Sequence, residues 1–392
     1  MTEPDDEDAR YLRARLAAVT PPAGRLSADG LLAAGQRAGR RRRTTATALG
    51  ALLPAAALVL VMGGFLPWDD DTAPPPGPAG TVAPSASPAT AACTLEHLPL
   101  PAGATSGAVL AGSPNGRHLV GSFQRPGIAN LPAWWQEGRL RSVPVEADAI
   151  ARDVNDNGVV VGSATGSNGQ DAPWAYVDGK LVWLPVPAGY TGGTAQGINA
   201  RGEVAGTLFG RPERAVVWRD LAGSVRMEVL PAPADGAFAT GIADSGVVIG
   251  GLHKAGLPYR WDVEGRGSVL PLPAGTDLGS VHGIRGRWAQ GTGSKSNGAP
   301  ALGTGAPMPV LWDLETGTAT IVGSDHPGAV NVHGLLVLNR REGEVLLRDP
   351  DGNQRKLPGA EGWRYQGGTV NDDGTQIAGM GGALPVRWLC PR

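Results

Sequence analysis

DVNDNGVVVG, Asp153 to Gly162, contains the turn on which the reading of this chain depends. Its first six residues place oxygen-bearing side chains at alternate positions before a glycine, the way a calcium loop begins. The same six residues would serve equally as a tight turn between two strands. The twelfth loop position, where a calcium loop places a bidentate glutamate, is Ala164. More telling, the turn is one of a series: SPNGRHLVG, INARGEVAG, IADSGVVIG, GIRGRWAQG, VNVHGLLVL and VNDDGTQIAG repeat its form. The turn glycines are Gly116, Gly158, Gly202, Gly246, Gly286, Gly334 and Gly374, separated by 42, 44, 44, 40, 48 and 40 residues. A glycine reaches the positive φ that such a strand–turn–strand link requires, so the stretch marks a repeat.

A period in the forties with several short strands per unit is the signature of a β-propeller blade. Each unit divides into four strands. ATGIA is small enough for the crowded centre, GVVIGG follows the turn, LPYRWDV carries a tryptophan, and SVLPLP ends the blade as a proline-marked edge. The tryptophan recurs as Trp135, Trp174, Trp218, Trp261, Trp312 and Trp388, and recurrence at one place favours packing between blades over ligand stacking. Units five and six are irregular: five lacks an Asn/Asp turn and six lacks a tryptophan.

The chain ends complement one another. CTLEHLPLPAG, from Cys93, reads as an outermost strand with no blade before it, and the last unit stops just after Trp388 without that strand. The reading is therefore an all-β, seven-bladed propeller over residues 93–392, closed by its N-terminal strand. Cys93 and Cys390, the only cysteines, would be joined in a disulfide across the seam.

The motif I-N-x-x-G-x-x-x-G followed by A-x-x-W resembles the bacterial extracellular repeats often called HAF repeats. It is carried by GINARGEVAGTLFGRPERAVVWRD (197–220) and DVNDNGVVVGSATGSNGQDAPWAYVDG (153–179), though the histidine–aromatic pair of those repeats is replaced by APWAY, AVVWR and PYRWD. The resemblance implies a secreted or surface propeller and brings no catalytic residues.

Upstream of the repeats, residues 1–43 are polar, read as a cytoplasmic segment with a short helix and a basic cluster at Arg40, Arg41, Arg42 and Arg43. Residues 44–66 contain no charge; at about 1.5 Å per residue they can cross the roughly 30 Å core of a bilayer as one transmembrane helix. Four arginines before the span and Asp69, Asp70 and Asp71 after it place the N-terminus in the cytoplasm and the propeller outside. Residues 67–92 are a Pro/Ala-rich linker that acts as a semi-rigid stalk. The abundance of alanine and of arginine over lysine is typical of a GC-rich, actinobacterial-like genome. The formal net charge of −2 argues against nucleic acid as a partner.

The chemistry-bearing motifs are sparse. His97, His118, His253, His282, His326 and His333 do not lie at metal-ligand spacing with a carboxylate, and there is no HExxH or GxSxG. GTGSKSNG (291–298) lacks the order of a phosphate loop. No cofactor or metal is expected. In a propeller, the loops joining second to third strands share a face with the blade connections, and rigidly held loops are where recognition concentrates. That face would carry Arg125, Arg211, Arg214 and Lys254, with His282, His326, Trp363 and Tyr365 from the blade connections. The expected function is non-catalytic binding of an extracellular protein, glycan or cell-wall ligand. The alternatives are a single-pass sensor working through the cytoplasmic helix, and a propeller lyase or glycosidase.

Overall fold

The computed structural model describes residues 92–391, apart from 146–147, 167 and 297–306. The expected cytoplasmic segment, its arginine cluster, the membrane span and most of the linker lie outside the described residues. Among the described residues, no helix is long and apolar enough to cross a membrane.

The described strands form seven four-stranded antiparallel sheets, each in sequence order except at the seam. The innermost strands of blades one to seven are Ser106–Gly112, Asp148–Val154, Gly192–Ile198, Ala237–Ile242, Leu278–Arg285, His326–Val330 and Tyr365–Val370. They touch one another from blade to blade around the whole ring. Blade seven is completed by Thr94–His97, which pairs with Leu384–Leu389 in the register Thr94↔Leu389 to His97↔Val386. Cys93 and Cys390 are disulfide-bonded beside that register. The expected blade number, closing strand and cysteine pairing are all present.

Each repeated residue of the sequence motif has a distinct physical task. The asparagine closes its own turn and, at Asn155, Asn199 and Asn331, reaches the next blade. Asn155 is 2 % exposed; its Oδ1 accepts the N–H groups of Asn157 and Val159, both at 3.1 Å. Its Nδ2 donates to the Asn199 carbonyl of blade three at 3.1 Å. Asn199 likewise donates to Ala243 of blade four, and Asn331 of blade six to Asn371 of blade seven. A buried amide that meets its own turn and its neighbour leaves little polar demand unmet. The turn glycines all have positive φ, from 57° at Gly286 to 97° at Gly246. In the opening stretch the Asp153 carboxylate accepts N–H groups from Val154 and Ile198. Its oxygens are thus engaged by backbone, and no group of three or more His, Cys, Asp or Glu among the described residues is placed to hold a metal.

The last glycine of the motif answers a β-bulge. Every innermost strand shifts register at the same level, with the extra residue at Leu110, Arg152, Gln196, Thr240, His282 and Gly368 in six blades. A bulge pushes backbone out of line toward the partner strand. Opposite it stand Gly121, Gly162, Gly206, Gly250, Gly291 and Gly379, where an added Cβ would come within 1.8–2.0 Å of an inner-strand carbonyl oxygen. Blade six has Leu338 at this place, and there the shift spans two residues, between Pro327 and Val330.

The tryptophans lock successive blades. Trp135, Trp218, Trp261, Trp312 and Trp388 are fully buried, and each Nε1 donates to the carbonyl of a proline just beyond the preceding blade's outer strand. The acceptors are Pro99, Pro185, Pro231, Pro271 and Pro358. The edge proline therefore does more than tolerate a missing N–H: its carbonyl anchors the next blade. One expected counterpart is corrected by the register. Val160 pairs with Tyr176, whereas Val204 pairs with Trp218, so Trp174 sits two residues before the shared position. Trp134 of blade one packs edge-on against Tyr176, ring centroids 6.0 Å apart. In blade six the position is Arg348, paired with Leu336, and Gly323 follows the preceding outer strand where the others have proline.

Candidate functional site

Two regions of the ring carry polar chemistry that the repeat does not account for. One is the face formed by the second-to-third-strand loops and the blade connections. The other is the axis itself.

On the loop face, the structure brings three of the expected residues into one sector. Arg211 is exposed in the loop 210–213 of blade three, and Arg214 starts the next strand, its guanidinium donating to the Glu213 carbonyl at 3.4 Å. Lys254 of blade four pairs with Asp235 at 2.7 Å, but both are largely exposed and the pair contributes little stability. Sequence reading missed the group at the centre of this sector. His253 Nδ1 lies 3.3 Å from Glu213 Oε2, joining blades four and three, and His253 packs edge-on against Phe238. Burial pushes the Glu213 carboxyl above its ordinary range, while His253 opposes the shift.

The remaining expected residues lie apart. Arg125 is exposed at the end of blade one's second strand, 5.3 Å over the Phe123 ring. Trp363 is 44 % exposed, stacks at 6.5 Å on Tyr365, and takes the edge of His97 at 6.0 Å. Tyr365 itself is a core residue, 5 % exposed and packed on Trp388, with its hydroxyl accepting the Ala360 N–H. His282 and His326 belong to innermost strands rather than to the connecting loops. They are electrostatic neighbours across blades five and six. Burial, reinforced by the charge of His326, lowers the His282 pKa to about 4, so its imidazole is neutral near pH 7.

At the axis, the bulge positions differ from blade to blade: Leu110, Arg152, Gln196, Thr240, His282 and Gly368. Near the turn end of the inner strands, Arg285 of blade five meets Asp372 of blade seven, Nε to Oδ1 3.5 Å. That contact passes over blade six. Asp153 of blade two and Asp244 of blade four belong to the same electrostatic cluster. Burial raises the Asp153 pKa to about 6 against the pull of the Ile198 N–H and Arg285. Asp372 is also raised by burial, with Asp156 and Asp244 adding repulsion and Arg285 opposing it. Of these axial residues the sequence singled out Asp153, as the start of a turn, and His282, as a loop-face candidate, but not their gathering at the axis. The others are ordinary variable positions until the ring brings distant repeats together.

No family model matches the chain, and no curated protein matches its sequence. Solved propellers do match in fold. Virginiamycin B lyase from Staphylococcus aureus has 12 % identity and a TM-score of 0.50, covering 76 % of this chain and 99 % of that one. A streptogramin B lyase has 15 % identity and a TM-score of 0.48, covering 77 % and 99 %. YCF48 bound to D1 peptide has 12 % identity and a TM-score of 0.45, covering 76 % and 97 %. At 12 % identity the likeness to virginiamycin B lyase shows the fold alone, and the propeller hosts many unrelated functions.

Proposed function

We propose that the chain is a non-catalytic, membrane-anchored propeller that displays its ring outside the cell and binds a protein or glycan ligand on the loop face, at the mouth of the axis. The observation that carries this reading is a division of labour among positions. Asparagine, both glycines, tryptophan and proline recur because they close turns and lock blades. The bulge positions, with the same backbone geometry, hold Leu, Arg, Gln, Thr, His and Gly instead. A rigid scaffold with side-chain variety concentrated at its centre is suited to recognition. The resemblance to HAF-type repeats, the apolar span at 44–66 and the disulfide support placement outside the membrane.

The test is a screen of the solubilised full chain against extracellular proteins and glycans, followed by Gln196→Ala, His282→Ala and Arg211→Glu variants. Binding that falls at least tenfold in one of them, with unchanged thermal stability, is the expected result. A ligand whose affinity none of the three moves removes this face as the site.

A further inference from the structure

The joint between blades five and six is built unlike the others. One position before the residue that faces the bulge, six blades hold an apolar, fully buried side chain: Val120, Val161, Ala205, Ile249, Val337 and Ala378. In blade five the same position is Gln290, 3 % exposed. Its Nε2 donates to the Gly328 carbonyl of blade six at 3.4 Å, but its Oε1 is buried without a hydrogen-bond partner. A buried acceptor left unpaired lowers stability, so the packing of the repeat does not itself call for glutamine here.

Space lies beside that amide. At Gly197 of blade three and Gly241 of blade four, an added Cβ would come within 3.0 and 3.2 Å of the following blade. Gly283 is the corresponding residue of blade five, paired with Gln290. There the added Cβ would meet the Gln290 Nε2 at 3.1 Å and, among the described residues, no atom of blade six within 4 Å. Gly283 and the bulge residue His282 belong to the innermost strand, so the gap lies directly behind the axis. The joint also lacks the tryptophan–proline lock, with Arg348 and Gly323 in those places.

We propose that this gap is a subsite for a neutral sugar seated in the axis, one hydroxyl of which passes Gly283 and donates to Gln290 Oε1. The proposal rests on the axial binding reading above and names its ligand class. The unpaired atom is an acceptor and the Gly328 carbonyl beside it is a second, so the occupant must bring a donor. Two such oxygens repel an anion. The His282 imidazole is neutral near pH 7 and presents one donor and one acceptor, which suits a hydroxyl, itself both. An ammonium group would meet the acceptors but could accept nothing from the imidazole N–H. Because Oε1 is covered, entry requires blades five and six to part, at a joint without the lock.

Thermal unfolding of the solubilised full chain, with and without millimolar glucose, galactose, mannose or N-acetylglucosamine, reads the subsite. At least one sugar should raise the native Tm. Gln290→Leu restores the apolar character of the other blades; it should raise the Tm without sugar by about 2 °C and weaken that sugar at least tenfold. Gly283→Ala, which narrows the gap and keeps Gln290, should weaken it too, and decides alone if Gln290→Leu does not fold. No Tm rise with any sugar overturns the proposal, the gap then holding water only. A protein ligand whose affinity falls in His282→Ala would leave the axial reading standing after that failure. A Tm lowered by Gln290→Leu, or sugar binding equal in native chain and variants, also overturns the proposal.

Discussion

Replacing both cysteines, C93S/C390S, tests how the ring is closed, because the disulfide and the closing strand then part company. The bond joins residues 297 apart, so in the chain-entropy picture its loss frees about 19 cal/mol/K, or about 5.7 kcal/mol at 25 °C. That is a ceiling; native disulfides typically contribute about 2–5 kcal/mol. We expect a loss of about 4 kcal/mol, with the folded ring retained. Thr94–His97 keeps its four-residue pairing, the Glu96–Arg387 ion pair at 2.8 Å and the Trp135 bond to Pro99. Urea unfolding followed by tryptophan fluorescence is a suitable assay, since six fully buried indoles report the transition. The m-value should rise, because the uncrosslinked unfolded chain exposes more surface. Hydrogen exchange should speed up first in Thr94–His97. A loss under about 1 kcal/mol, or exchange that speeds up equally in all blades, would refute the reasoning.

Gly206→Ala places a Cβ 1.9 Å from the Thr194 carbonyl oxygen, so denaturant melts should show a loss of at least about 3 kcal/mol. Gly223→Ala, whose nearest contact is 4.0 Å away, should stay within about 1 kcal/mol in the same measurement. Trp261→Phe removes the 2.6 Å bond to Pro231 and leaves that carbonyl unpaired, for an expected loss of about 2–4 kcal/mol by calorimetry.

The architecture was legible because its decisive residues repeat. One turn glycine says little, but seven at near-constant spacing define blades, and the complementary chain ends define the seam. The meaning of the motif was only half legible. The proline could be assigned to an edge, but not its carbonyl to the tryptophan of the following blade. Trp174 shows the limit of spacing: it lies on the same strand face as its expected counterparts, two residues out of register. The gathering of the axial residues was illegible for a different reason. Asp153, Asp244, Arg285 and Asp372 come from separate repeats, and only ring closure makes them neighbours. The Glu213–His253 pair, a contact between loops of adjacent blades, escaped for the same reason.

The seam also decides how the propeller bears load. Pulled from residue 92, a simple closing strand would peel from its Thr94 end, one hydrogen bond after another, at low force. The Cys93–Cys390 bond stands at that end, just outside the Thr94↔Leu389 pair. Tension entering from the N-terminal side therefore meets a covalent link before any hydrogen bond and passes straight to the far end of the chain. Oxidised, the ring hangs like a closed shackle; reduced, it becomes a zipper with its slider exposed.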